Sequence, residues 1–299
     1  MFVPRVSSRS ETLVVRGVPH HLRHWGTPDA PLLLALHGWM DVAASFQFVA
    51  DHLADRWHIV APDWRGFGLT GPTGVDCYEF SDYLGDLDAM LRHLSPDRPV
   101  PLVGHSMGGN IAMLYAGSRP QRIRRLVNLE GFGMPATRPS QAPGRYAKWM
   151  DEIKAFGRGE KELKSYDSVD GVAQRLMKTN RRLSQDKADW LARHWARQDD
   201  DGRWRILGDA AHKITNAQLF RVDEVLELYR RITCPVLMVE ASDDSLGQWW
   251  QGRFSLAEFH ERLQAVPDLH QARVEDAGHM LHHDQPHELA ALIEEFIDR

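Results

Sequence analysis

One uninterrupted passage constrains the fold more than any other. Val100-Pro101-Leu102-Val103 runs into Gly104-His105-Ser106-Met107-Gly108-Gly109, and Asn110-Ile111-Ala112-Met113-Leu114-Tyr115-Ala116 follows. The first part is an apolar run of strand length and the last a good helix former, so the passage reads strand, sharp turn, helix. G-x-S-x-G in that setting puts a serine on a strained turn above the carboxyl end of a sheet. Gly104 and Gly108 leave room for strand and helix to approach closely. The helix start offers N–H groups and partial positive charge to a developing oxyanion. Ser106 is therefore the candidate nucleophile.

The rest of the chain supplies a sheet for that turn. Leu32 to Leu36, Ile59 to Ala61, Leu126 to Leu129 and Val236 to Val239 are further short, nearly continuous apolar runs, as strands buried on both faces should be. Helical patterns lie between them, at Phe46 to Leu53, Tyr83 to Leu94 and Ile111 to Ala116. This alternation implies an α/β fold with a mostly parallel sheet and helices on both faces. Thr12 to Val15 and His21 to Trp25 read as a leading antiparallel pair. The rhythm breaks between Phe132 and Arg231, where apolar residues recur at helical spacing and no strong strand run appears. The expected division is a core of residues 1–131 and 232–299 with a helical cap at 132–231.

Three further turns carry candidate chemistry. The run Leu32 to Leu36 ends in His37-Gly38-Trp39-Met40-Asp41, where the Trp39 amide would face a reacting carbonyl oxygen together with the Met107 amide. Asp63 and Arg65 follow the next strand and read as turn-fixing residues. Near the end, Val274-Glu275-Asp276-Ala277-Gly278-His279 is a strand, a glycine turn and a histidine, so His279 is the candidate general base. His282, His283 and His287 are its local rivals and read as solvated. Asp284 reads as the N-cap of the last helix. The acid that orients His279 should follow a strand. Asp244 is the first choice, Asp243 the second, and Glu130, after Leu126 to Leu129, the third.

Composition excludes other classes. The 299 residues carry a formal charge of −5, which gives no basic field for nucleic acid. The two cysteines, Cys77 and Cys234, rule out a disulfide framework. The longest apolar stretch is far short of a membrane span, and the first ten residues lack the apolar run of a signal peptide. A cytoplasmic protein acting on a small molecule is the expectation, with monomer and homodimer both open. No metal-ligand spacing is recognised among the histidines and acids, so no metal is expected.

Taken together, these motifs resemble the α/β-hydrolase superfamily, over nearly the whole chain outside the cap. His37-Gly38-Trp39-Met40-Asp41 with Ala44-Ser45-Phe46, and Gly104 to Asn110, are similar to its serine hydrolase-like branch. The resemblance implies an eight-stranded sheet, a cap inserted after strand 6, an acyl-enzyme mechanism and no cofactor. It also places the acid in a G-x-x-D turn after the seventh strand. Here Ala241 replaces the glycine and Asp244 takes the acid position. An ester is the expected substrate class, with a carbon–carbon hydrolase or lyase as the alternative and a non-catalytic binding protein as a further one. Trp149, Trp190, Trp195, Trp204 and Trp249-Trp250 are candidates to wall an apolar or aromatic pocket.

Overall fold

The computed structural model describes residues 2–299. The chain opens with the expected antiparallel pair, β1 (Arg9–Val15) and β2 (Val18–Trp25). It continues through β3 (Leu32–Leu36), α1 (Gln47–Leu53), β4 (His58–Pro62), α2 (Phe80–Leu94), β5 (Val100–His105), α3 (Met107–Ser118) and β6 (Ile123–Leu129). After a long insertion come β10 (Val236–Ala241), α8 (Ser245–Trp250), α9 (Leu256–Leu263), β11 (Leu269–Val274), α10 (Leu281–Asp284) and α11 (Pro286–Asp298). The insertion holds α4 (Ala142–Gly157), β7 (Ser165–Tyr166), α5 (Val169–Thr179), α6 (Gln185–Trp195), β8 (Ala196–Gln198), β9 (Trp204–Ile206) and α7 (Val222–Arg230).

The main sheet has eight strands in the order β1-β2-β4-β3-β5-β6-β10-β11. Pairing is antiparallel where β2 meets β1 and β4, and parallel from β4 across to β11. The apolar runs become strands because each is buried on both faces, and successive side chains divide between two cores. Leu34, Val60, Leu102, Leu126 and Met238 face one core with Leu87, Ile111 and Tyr115. Leu33, Ile59, Val103, Val127 and Val239 face the other with Val49, Leu53, Ile293 and Phe296. Pro101 lies inside a central strand, where it donates nothing to the ladder. The β5–β6 register shifts between Val100 and Pro101, so the proline is accommodated at an irregularity.

Two features of the insertion were not legible from periodicity. β7, β9 and β8 form a small antiparallel sheet. Its strands are two or three residues long, too short to show alternation. The helix α7 does not ride above the site. It packs on α3, where a Cβ at Gly117 would stand 2.2 Å from the Leu228 carbonyl oxygen. By contrast, α4 has no buried residue and exposes Tyr146 and Met150. Among the described residues, no helix is long and apolar enough to cross a membrane. Both cysteines are free.

Candidate active site

Register along the parallel strands decides which side chains meet at the carboxyl edge. Leu36 pairs with Gly104, and His105 pairs with Leu129. Continuing one or two residues beyond brings Gly38, Ser106 and Glu130 to the same level on three adjacent strands. Ser106 adopts φ 52° and ψ −114° between β5 and α3. A β-carbon is strained there, and the strain is held by backbone bonds from the Ser106 N–H to Leu129 O (2.8 Å) and from the Asn110 N–H to Ser106 O (3.0 Å). No larger residue fits around the turn. A Cβ on Gly108 would lie 2.1 Å from Leu36 O, and one on Gly104 would lie 2.5 Å from Gly108 O.

The loop after β3 lies against the serine. A Cβ on Gly38 would stand 3.2 Å from the Ser106 Cβ. Met107 opens α3, so its N–H has no intrahelical acceptor. Neither the Trp39 nor the Met107 amide takes part in a hydrogen bond among the described residues. Two free N–H groups thus flank the serine. His37 anchors this loop. Its Nε2 accepts the Trp64 amide at 3.0 Å, which leaves Nδ1–H to donate to Gly38 O at 2.7 Å. The Trp64 indole in turn donates to His37 O at 3.1 Å. Asp63 holds the neighbouring turns through the amides of Ala43 (2.7 Å) and Leu69 (2.9 Å). Arg65 makes a two-point ion pair with Asp86.

His279 sits on the turn after β11. Its Nδ1 lies 3.3 Å from Glu130 Oε2, and its backbone carbonyl accepts from His105 Nε2 at 2.7 Å. Trp249 stands edge-on to the imidazole, ring centroids 4.0 Å apart. Burial drives the His279 pKa down to about 3, so the ring is neutral near neutral pH. Glu130 is fully buried with φ 56°, and its Oε1 accepts the Ala241 amide at 2.8 Å. Burial pushes its pKa up to about 7, and the charges of Asp243 and Asp244 add to that rise.

The first-choice acid stands elsewhere. Asp244 caps α8, its Oδ1 accepting the Gly247 amide at 2.7 Å. Asp243 pairs with Arg182 of the insertion at 2.6 Å. The third choice, Glu130, is the carboxylate that meets His279. Three other expectations are corrected. His282 and His283 are buried, because α10 tucks its single turn beneath the elbow, and only His287 is exposed. Asp284 does not cap the last helix. It accepts the Gly278 amide at 2.9 Å and the Asn180 side chain at 2.7 Å, bracing the turn that carries His279. Two of the candidate pocket tryptophans pack elsewhere, Trp195 donating to Asp41 at 3.2 Å and Trp190 packing on Phe48, while Trp249 stands against His279.

With this geometry in place, comparison with known proteins decides the family. The alpha/beta hydrolase fold model matches residues 31–286. The chain belongs to the alpha/beta hydrolase fold family. Among relatives of this hydrolase is the serine hydrolase-like protein of Danio rerio, 25% identical over 91% of this chain and 83% of that protein. The 2-(acetamidomethylene)succinate hydrolase of Mesorhizobium japonicum is 26% identical over 90% of this chain and 89% of the relative. Among solved structures, the thioesterase domain from the curacin biosynthetic pathway superposes with a TM-score of 0.83. It is 25% identical, over 96% of this chain and 99% of that domain.

One further group at this hydrolase site was invisible in the sequence. Asp41, His105 and His282 bring one donor atom each within 4.8 Å of one another, all three buried. They lie far apart along the chain, so no local spacing signals them. His37 and Asp284 hold the loops that carry Trp39 and His279, whereas the sequence showed them only as part of a strand-ending motif and as a helix cap.

Proposed function

We propose that this hydrolase cleaves a carboxylic ester through an acyl-enzyme, with Ser106 as nucleophile, His279 as general base and Glu130 as the acid that orients it. The observation that carries this reading is the His279 Nδ1 to Glu130 Oε2 contact, on the sheet edge that also bears the strained Ser106. A buried carboxylate at Nδ1 holds the proton on that nitrogen and leaves Nε2 bare to accept one. Nε2 is unengaged here, and closure onto Ser106 Oγ belongs to the substrate complex.

In the proposed reaction, Ser106 Oγ attacks the ester carbonyl carbon while its proton passes to His279 Nε2. The Trp39 and Met107 amides receive the oxyanion, each such donor typically being worth ~3 kcal/mol. Collapse breaks the bond to the alcohol oxygen, which leaves with the proton from His279. Water then loses a proton to His279 and attacks the acyl carbon, releasing the acid and restoring Ser106. Residues 132–231 serve as the lid in this reading, with α4 and the small sheet as its outer part and α7 as its seam with the core. Trp39 and Trp249, both about half exposed, supply apolar surface for a small to medium substrate. We place the protein in the cytoplasm, acting on a small molecule.

A second reading keeps the same residues and changes the bond to a carbon–carbon one. The likeness to a hydrolase of 2-(acetamidomethylene)succinate, whose named substrate carries an amide, points as readily to a carbon–nitrogen bond. A p-nitrophenyl ester series of increasing acyl length tests the first reading. Hydrolysis is expected for at least the short esters. The active form has neutral His279 and ionised Glu130, and one proton taken up by the coupled pair removes it. kcat/KM should therefore fall as pH drops through about 7, with a slope of one proton. Failure to hydrolyse any ester in the series would overturn the ester assignment.

A further inference from the structure

Three segments converge beneath the nucleophile turn, and polar atoms they bury there lack partners among the described residues. Asp41 comes from the loop after β3, His105 from the end of β5 and His282 from α10. Their exposures are 5%, 2% and 0%. Among the described residues, Asp41 Oδ2, His105 Nδ1 and both ring nitrogens of His282 have no hydrogen-bond partner. Buried polar groups are almost always satisfied, so such a concentration marks a place built for something further.

The chemistry of the donors indicates what that is. His105 Nε2 faces the His279 carbonyl at 2.7 Å, and a carbonyl only accepts. In a neutral ring the Nε2–H is thus committed, and Nδ1 presents a bare lone pair to the cluster. Asp41 Oδ1 is occupied by Ser45 Oγ at 2.6 Å and by the Trp195 indole of the lid at 3.2 Å. Ser45 Oγ in turn accepts from His283 Nε2 at 3.0 Å. Asp41 Oδ2 is left free, 4.0 Å from His282 Nε2. Lone pairs therefore outnumber N–H groups at the centre. A buried carboxylate without a compensating cation is also unfavourable.

We propose that Asp41, His105 and His282 form a buried site for one divalent transition-metal cation of the zinc class, directly beneath the catalytic serine. Two imidazoles and a carboxylate are a set that zinc accepts, with a fourth position open to water. Tetrahedral zinc with ordinary bond lengths holds its ligand atoms about 3.3 Å apart. Side-chain shifts of about an ångström or less would close the present spacing. The outer shell is already in place, with the His279 carbonyl on His105 and the His283–Ser45 chain on Asp41. A cation here ties the oxyanion loop, the elbow, the base loop and the lid to one point. It acts as a structural staple and touches no reacting atom.

The test uses tag-free protein expressed in zinc-supplemented medium and passed over a desalting column. About one equivalent of zinc per chain should be retained, and zinc restored to chelator-stripped protein at a hundredfold over Kd should raise Tm by roughly 5 °C. His282→Gln should lose both, while His287→Gln, an exposed histidine, should lose neither. Wild-type protein without bound zinc and without a Tm shift would overturn the site, leaving water or a proton on Asp41 as the occupant. Full retention by His282→Gln would overturn it equally. If that variant does not fold, anomalous scattering at the zinc edge from wild-type crystals decides. A peak between the three side chains supports the site, and its absence or a peak elsewhere refutes it.

Discussion

Ser106→Ala should lower kcat toward a p-nitrophenyl ester by a factor on the order of 10⁶. The proposed acyl-enzyme has no other oxygen to form on, and His279 cannot substitute for a missing nucleophile. The free N–H groups of Trp39 and Met107 remain, so a residue of roughly 10³-fold over the uncatalysed reaction should survive. Stability should barely change. The serine hydroxyl makes no hydrogen bond among the described residues, and alanine keeps the same Cβ at φ 52°. Steady-state kinetics together with a thermal melt check both halves. A variant that keeps most of its activity would place the nucleophile elsewhere.

Glu130→Gln and Asp244→Asn should separate cleanly, and the pair decides which acid serves His279. An amide at position 130 leaves a donor where Nδ1–H needs an acceptor, so the ring loses the tautomer that accepts from Ser106. A loss of about 10⁴ in kcat is expected, in line with the same change in other triads. Stability should move the other way. The Glu130 carboxyl has a pKa near 7 in the folded protein against 4.5 when unfolded. The folded state therefore holds its proton between those values. That preference stabilises the fold at low pH and is lost as pH rises from about 4.5 to about 7. A neutral glutamine escapes the loss, so above pH 7 Glu130→Gln should gain stability, by an amount on the order of 3 kcal/mol at most. An inactive but more stable variant is the signature of a strained functional carboxylate. Asp244→Asn should keep activity within a few-fold and change stability little, since asparagine also caps helices. Kinetics and urea melts at pH 8 read both. Comparable activity losses in the two variants would return the acid to the position after β10.

Much of this hydrolase was legible in its sequence, for identifiable reasons. Strands buried on both faces announce themselves as apolar runs, and all five such runs lie in β3, β4, β5, β6 and β10. The elbow needs two small residues around one strained serine, and few sequences satisfy that by chance. The carboxylate that meets His279 was harder. Position along the chain favours Asp244, but proximity is set by strand register, and register brings Glu130 level with Ser106 on the adjacent strand. A glutamate at the end of an apolar strand resembles any strand terminus until its neighbours are known. The buried histidines were hidden for a similar reason. His282 and His283 lie on a four-residue helical turn, too short to show which face is covered. The small sheet of the insertion has the same difficulty, because two or three residues carry no period.

The most direct test is covalent. Treatment with a fluorophosphonate, followed by mass mapping of the digested protein, should give a single phosphonate adduct on the peptide containing Ser106, abolished by His279→Ala. An unlabelled protein, an adduct on another side chain, or labelling that survives loss of the imidazole would contradict the account.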